Sequence, residues 1–157
     1  MMRFRLVLAG MMVMLISASV ASASARSGTS VKVIHTLQIG TGLTLVDADH
    51  SGGPSAGDYF IITAKHLNPV THRVIGTGTA ICTQIDQTAK LYDCQGEDRF
   101  GGGELREAGQ LKLTGTGFRF AILGGTGPYV GAWGEVHGRF LDAAMTKARV
   151  TFTYRKR

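Results

Sequence analysis

A chain of 157 residues, with 17 lysines and arginines against 11 acidic residues and a formal charge of +6, has room for one hydrophobic core and excludes a two-domain enzyme. The basic residues are scattered apart from the terminal run Tyr154 to Arg157, so the charge describes a soluble basic surface and argues against a nucleic-acid partner. Its two cysteines have no C-x-x-C or histidine pair nearby, which excludes a zinc module.

The chain opens on Arg3 and Arg5, an apolar run from Leu6 to Ile16, and the segment SASVASASA with small-residue cleavage sites ending at Ala23 or Ala25. That order predicts a secretory signal peptide over residues 1–25; the run is too short, and too soon broken by serine, for a membrane span. Cleavage leaves a single domain, residues 26–157, in a secreted, periplasmic or extracellular setting with no stable membrane anchor. Losing Arg3 and Arg5 leaves fifteen basic against eleven acidic residues, a net +4.

The rest is strand-like. Segments 31–39, 58–66, 72–85, 90–97, 109–117, 118–124, 131–140 and 148–156 alternate apolar with polar residues or are rich in β-branched ones, which predicts about eight strands. Asn68-Pro69, Asp98 and Gly101 to Gly103 mark turns between them. Only Leu141–Ala148 could hold a turn or two of helix, and it reads more as a long loop. Glycine recurs within the strand-like runs, at 76, 78, 115, 117, 134 and 138, where it weakens a strand unless curvature or close backbone approach demands it. The expected architecture is therefore an all-β, antiparallel, closed eight-stranded barrel, which also removes exposed sheet edges.

Cys82 and Cys94 sit symmetrically about Thr88. In an oxidising compartment they predict a disulfide across the turn at residues 86–90, with Gln84 facing Tyr92 and Ile85 facing Leu91; a free catalytic thiol is the alternative.

The stretch Ala121 to Val136, AILGGTGPYVGAWGEV, spaces Gly125, Gly127 and Gly131 much as a phosphate-binding loop would. Such a loop needs a helix directly afterwards, and AWGEVHGRF alternates with period two and carries two more glycines. Gly124, Gly125, Gly127 and Gly131 therefore form a turn between strands, some at positions needing positive φ. This hairpin resembles that of the allene oxide cyclases and related dirigent proteins, in which GGTG or GGSG is followed by an aromatic residue and then a Gly-Ala-aromatic-Gly sequence. GDYFIITAKHL and VIGTGTAIC, between Gly57 and Cys82, resemble their second and third strands, and TKARVTFTY their last. The resemblance implies an eight-stranded barrel with a ligand cavity, assembled as a homotrimer, and needing no cofactor. The cyclases line that cavity with a Glu, an Asn and a Cys on the first three strands. Here the first strand has no acid, Ala64 stands at the Asn position, and Cys82 at the Cys position is claimed by Cys94.

Two further groups carry potential chemistry. Asp47, Asp49, Ser51 and Asp58 follow the spacing of a calcium loop, although strands rather than helices flank it; the alternative is a solvated connection without metal. Trp133, Glu135, His137 and Arg139 share one strand face, opposite Ala132, Val136 and Phe140. Facing inward, Trp133 would bind a ligand together with Tyr59 and His35, while Glu135 and His137 moved protons; facing outward, they form a charged surface. The expected ligand is a small hydrophobic or aromatic molecule. Three roles remain open: an orienting binder, a cofactor-independent cyclase or isomerase, and a non-catalytic structural or interaction module.

Overall fold

The computed structural model describes residues 30–156; the signal peptide expected over residues 1–25 lies outside them. The chain forms β1 (Lys32–Val46), β2 (Tyr59–Leu67), β3 (Val74–Asp86), β4 (Leu91–Phe100), β5 (Gly103–Lys112), β6 (Gly117–Gly125), β7 (Ala132–Phe140) and β8 (Lys147–Lys156). Each strand pairs antiparallel with its neighbour in sequence, and β8 returns to β1 from Lys32↔Tyr154 to Ile39↔Lys147, closing the barrel. Closure gives every strand a paired neighbour on both sides, which limits exposed sheet edge. No helix among the described residues is long and apolar enough to cross a membrane.

Period-two alternation decides which residues face inward. On β8, Ala148, Val150, Phe152 and Tyr154 are buried, whereas Arg149, Thr153 and Arg155 between them are exposed. The same phase buries Phe60 and Ala64 of β2, Leu105 and Leu111 of β5, Phe120 and Ile122 of β6, and Ala132 and Val136 of β7. Except for Ala64, these side chains belong to one continuous core, which also includes Cys82 and Cys94 of the disulfide.

Several boundaries differ from the sequence-based expectation. β1 runs on past Ile39 through a bulge between Gly40 and Gly42. Asp98 is not a turn residue: β4 continues to Phe100, and the chain reverses at Gly101 and Gly102, both with positive φ. β5 starts at Gly103, so Gly115 belongs to the turn before β6. Gln84 faces Tyr92 as expected, but a bulge between Gln84 and Asp86 places Asp86, rather than Ile85, opposite Leu91. In the glycine loop a single 3-10 turn, Gly127–Tyr129, precedes β7, and the left-handed residues are Gly127 (φ 53) and Gly131 (φ 73). Gly125 is required for a different reason: a Cβ there would collide with the Glu104 carbonyl and Tyr129. Gly124 has open space around it.

Candidate functional site

Four strands send polar side chains into the barrel at one level. Thr36 of β1, His66 of β2, Asp98 of β4 and Glu107 of β5 are all buried. His66 donates its Nε2–H to Asp98 Oδ1 at 2.6 Å, and its Nδ1 meets the Thr36 hydroxyl at 3.1 Å. The imidazole is held edge-on to Phe152 and against Phe100, with ring centroids 5.6 and 5.0 Å away. β3 contributes an absence: Gly78 lies opposite both Ala64 and Asp98, and a Cβ there would strike Asp98 Oδ1 and His66 Nε2. Without that glycine the histidine and aspartate could not meet.

Glu107 completes the cluster from the next strand, beside Asp98. Its carboxyl is pushed well above the ordinary range, first by burial, then by the charge of Asp98, then by a hydrogen bond to the Asp98 side chain. Two carboxyl groups in one low-dielectric site oppose each other's ionisation, which favours the protonated form of Glu107, hydrogen-bonded to Asp98. Its Oε2 is buried and has no hydrogen-bond partner. Buried polar atoms are rarely left in that state, because an unmatched donor or acceptor costs about 1–3 kcal/mol.

His66, Asp98 and Glu107 border a chamber of about 90 Å³, whose other walls include Phe118, Phe120, Val136 and Phe140. A wider mouth of about 580 Å³ adjoins it and shares Ile62, Leu111, Phe140 and Met145 with the chamber. Leu43, Leu113, Ala143 and Ala144 line that mouth. A small, mostly apolar molecule entering there would reach acid–base groups only at the chamber.

The residues singled out from sequence lie mainly elsewhere. Trp133, Glu135 and His137 point outward, because Val136 and Ala132 occupy the inward phase of β7. Glu135 makes an exposed ion pair with Arg119 at 3.6 Å, and Arg119 also contacts His137. His35 is exposed and bonds Thr151 at 3.1 Å. Tyr59 is half-buried in a separate groove beside Asp47 and Asp58. Asp47, Asp49 and Asp58 do converge, with one oxygen of each within 4.8 Å of the others. Their oxygens accept hydrogen bonds within the loop, from the backbone N–H groups of Gly52, Ser51 and Ala48 and the hydroxyl of Ser55. The Ser51 and Ser55 bonds lower the Asp49 carboxyl to about 2. The Ser51 hydroxyl also donates to the Gly53 carbonyl. Cys82 borders the chamber, bonded to Cys94.

The internal cluster had a legible signal that sequence reasoning passed over. His66 lies in phase with Phe60, Ile62 and Ala64; Asp98 with Cys94 and Phe100; Glu107 with Leu105 and Leu111. An ionisable residue on the apolar phase of a strand must be paired, functional or both.

No family model matches the sequence, and no curated protein is similar to it in sequence. Solved structures do share its architecture. A pyocyanin demethylase is 18% identical, with a TM-score of 0.64 over 78% of this chain and 99% of that one. A pterocarpan synthase dirigent protein is 18% identical, with a TM-score of 0.63 over 80% and 83% of the two chains. A Diels-Alderase from Streptomyces koyangensis is 15% identical, with a TM-score of 0.64 over 85% and 72%. The chain thus shares the closed eight-stranded barrel fold of these structures.

Proposed function

We propose that the protein is a cofactor-independent acid–base catalyst of the isomerase or cyclase type, acting on a small hydrophobic or aromatic molecule that carries a carbonyl or similar oxygen. The unpartnered Glu107 Oε2, beside the Asp98–His66 pair in an apolar chamber, carries this reading. When substrate binds, the single Glu107 O–H turns from Asp98 to the substrate oxygen, which leaves Asp98 free to act as base. Asp98 removes a proton from the adjacent carbon and returns it further along the chain, so that the double bond moves and no atom is gained or lost. His66 positions Asp98 and is itself positioned by Thr36. The aromatic side of the chamber orients the substrate. The likeness to a Diels-Alderase and to a pterocarpan synthase dirigent protein supports a barrel that orients or cyclises small molecules. Orientation without chemistry is the second reading, favoured by an apolar mouth much larger than the chamber that bears the acids. Export belongs to the proposal too, supported by the leader pattern and the disulfide.

The test uses 3-cyclohexen-1-one, whose conversion to the conjugated enone needs one proton removed and one returned. The protein should accelerate the rise in enone absorbance, and Asp98→Asn or Glu107→Gln should each lower the rate by about a hundredfold or more. Glu135→Gln and His137→Ala should leave it unchanged. A folded Glu107→Gln protein that retains the rate overturns the assignment, as does a wild type that binds the ketone in its cavity without isomerising it.

A further inference from the structure

The exterior of the barrel is electrically uneven. The exposed outward residues Arg119, Arg139, Arg149 and Arg155 of β6 to β8 share their face with a single carboxylate of those strands, Glu135, whereas Lys147 has Asp142 beside it. On β4 and β5 the signs are mixed, and Arg99 is paired with Glu104 at 2.8 Å and Glu97 at 3.5 Å. Arg119, Arg139 and Arg149 lie on three different strands and are gathered only by the strand order. Register makes the excess acute: Arg139 stands directly opposite Arg149, and neither has a carboxylate partner among the described residues. Like charges directly across a strand pair destabilise the sheet, so the arrangement costs stability in the absence of a bound anion.

The same face is apolar toward its other end. Leu123, Val130, Trp133 and Val33 are exposed there, and the Arg155 guanidinium lies 5.5 Å over the Trp133 ring. The run from Trp133 to Arg139 spans about 20 Å of one strand. A second copy related by a two-fold axis is a poor partner, because an isologous contact would set cations against cations. A soluble polyanion would meet the arginines and leave the apolar end in water. An anionic lipid surface answers both: its phosphates match the guanidinium groups, and the headgroup boundary accepts an indole.

We propose that this face docks the protein reversibly on an anionic lipid surface, with Trp133 at the headgroup boundary and Arg119, Arg139, Arg149 and Arg155 on lipid phosphates. The inference does not depend on the chemistry of the cavity. Trp133 is the chain's only tryptophan, so its emission reports the contact directly.

The experiment adds phosphatidylcholine vesicles with or without phosphatidylglycerol to the intact protein. Trp133 emission should shift to the blue, and the protein should co-sediment, only with phosphatidylglycerol present, and added salt should reverse both. The double variant Arg139→Ala/Arg149→Ala should bind these vesicles about tenfold more weakly or worse, with a melting temperature equal to or above the wild type's. Glu135→Gln should bind more tightly. No binding to phosphatidylglycerol vesicles, or equal binding to phosphatidylcholine alone, overturns the proposal. So does binding of dextran sulfate without vesicle binding, which would identify a soluble polyanion. A light-scattering mass above one chain, with Trp133 emission already blue before lipid is added, would make the face a contact between copies and overturn it equally.

Discussion

The two sides of the cavity are built on opposite rules. From β1 to β5 the barrel wall carries Thr36, His66, Asp98 and Glu107, with Gly78 and Gly96 keeping space clear around them. From β6 to β8 the facing wall is Phe118, Phe120, Val136, Phe140 and Val150, with no ionisable group among its chamber-lining residues. Each ionisable group on the first wall has another within hydrogen-bond reach, and the chain of contacts ends at the single unmatched Glu107 Oε2. Burial of charge is thus confined to one sector, where its members compensate one another. The other sector supplies the hydrophobic free energy that such burial opposes.

If that division is right, the largest loss of stability comes from the side chain on which both walls rest. Phe152 is fully buried and meets Phe100 and His66, with centroid distances of 5.1 and 5.6 Å. Phe152→Ala should cost about 3–5 kcal/mol in urea denaturation, through lost transfer energy and the cavity left behind. Next comes the staple of the polar wall. The Cys82–Cys94 bridge closes a short ring of sequence separation 12 between strands that already pair there. Replacing both cysteines with serine should cost about 3 kcal/mol by the chain-entropy argument. A disulfide loss clearly greater than the Phe152 loss would mean that covalent closure, not the aromatic floor, sustains the polar sector.

The fold was legible because its cause is local. Alternation on β8 and β2, the glycine-rich hairpin before β7 and the paired cysteines are each short-range signals, and together they demanded a closed antiparallel barrel. Inside and outside were not legible on β7, where Trp133 and Glu135 compete with Ala132 and Val136 and period two carries no sign. The neighbouring strands decide it: Val136 lies beside Phe120 and Phe152, both inward. Asp98 was mistaken for a turn because aspartate favours turns and Gly101 follows closely. Its role depends on His66, 32 residues away in sequence, and no local pattern encodes that pairing. The basic face escaped notice for the same reason, since Arg119, Arg139 and Arg149 become neighbours only through pairing.

The mildest perturbation is also the most discriminating. In the unfolded chain Glu107 titrates near its ordinary value of 4.5; in the folded protein burial and Asp98 hold its pKa well above that. Above 4.5 the unfolded chain therefore gives up a proton that the folded protein keeps. This group's contribution to stability is complete below that pH and is lost progressively as pH rises toward the folded pKa, with a limiting slope of about 1.4 kcal/mol per unit. Glu107→Gln removes the titration, while its amide can still donate to Asp98 as the protonated acid does. Urea denaturation at a series of pH values should give the variant a flatter profile than the wild type, and stability equal or greater at neutral pH. A carbonyl-stretch band from a protonated carboxylic acid should be present in the wild type at neutral pH and missing from the variant. Parallel profiles, or a variant destabilised at neutral pH, would show Glu107 ionised in the fold. The polar wall would then hold a charged acceptor where the proposed chemistry requires a proton donor.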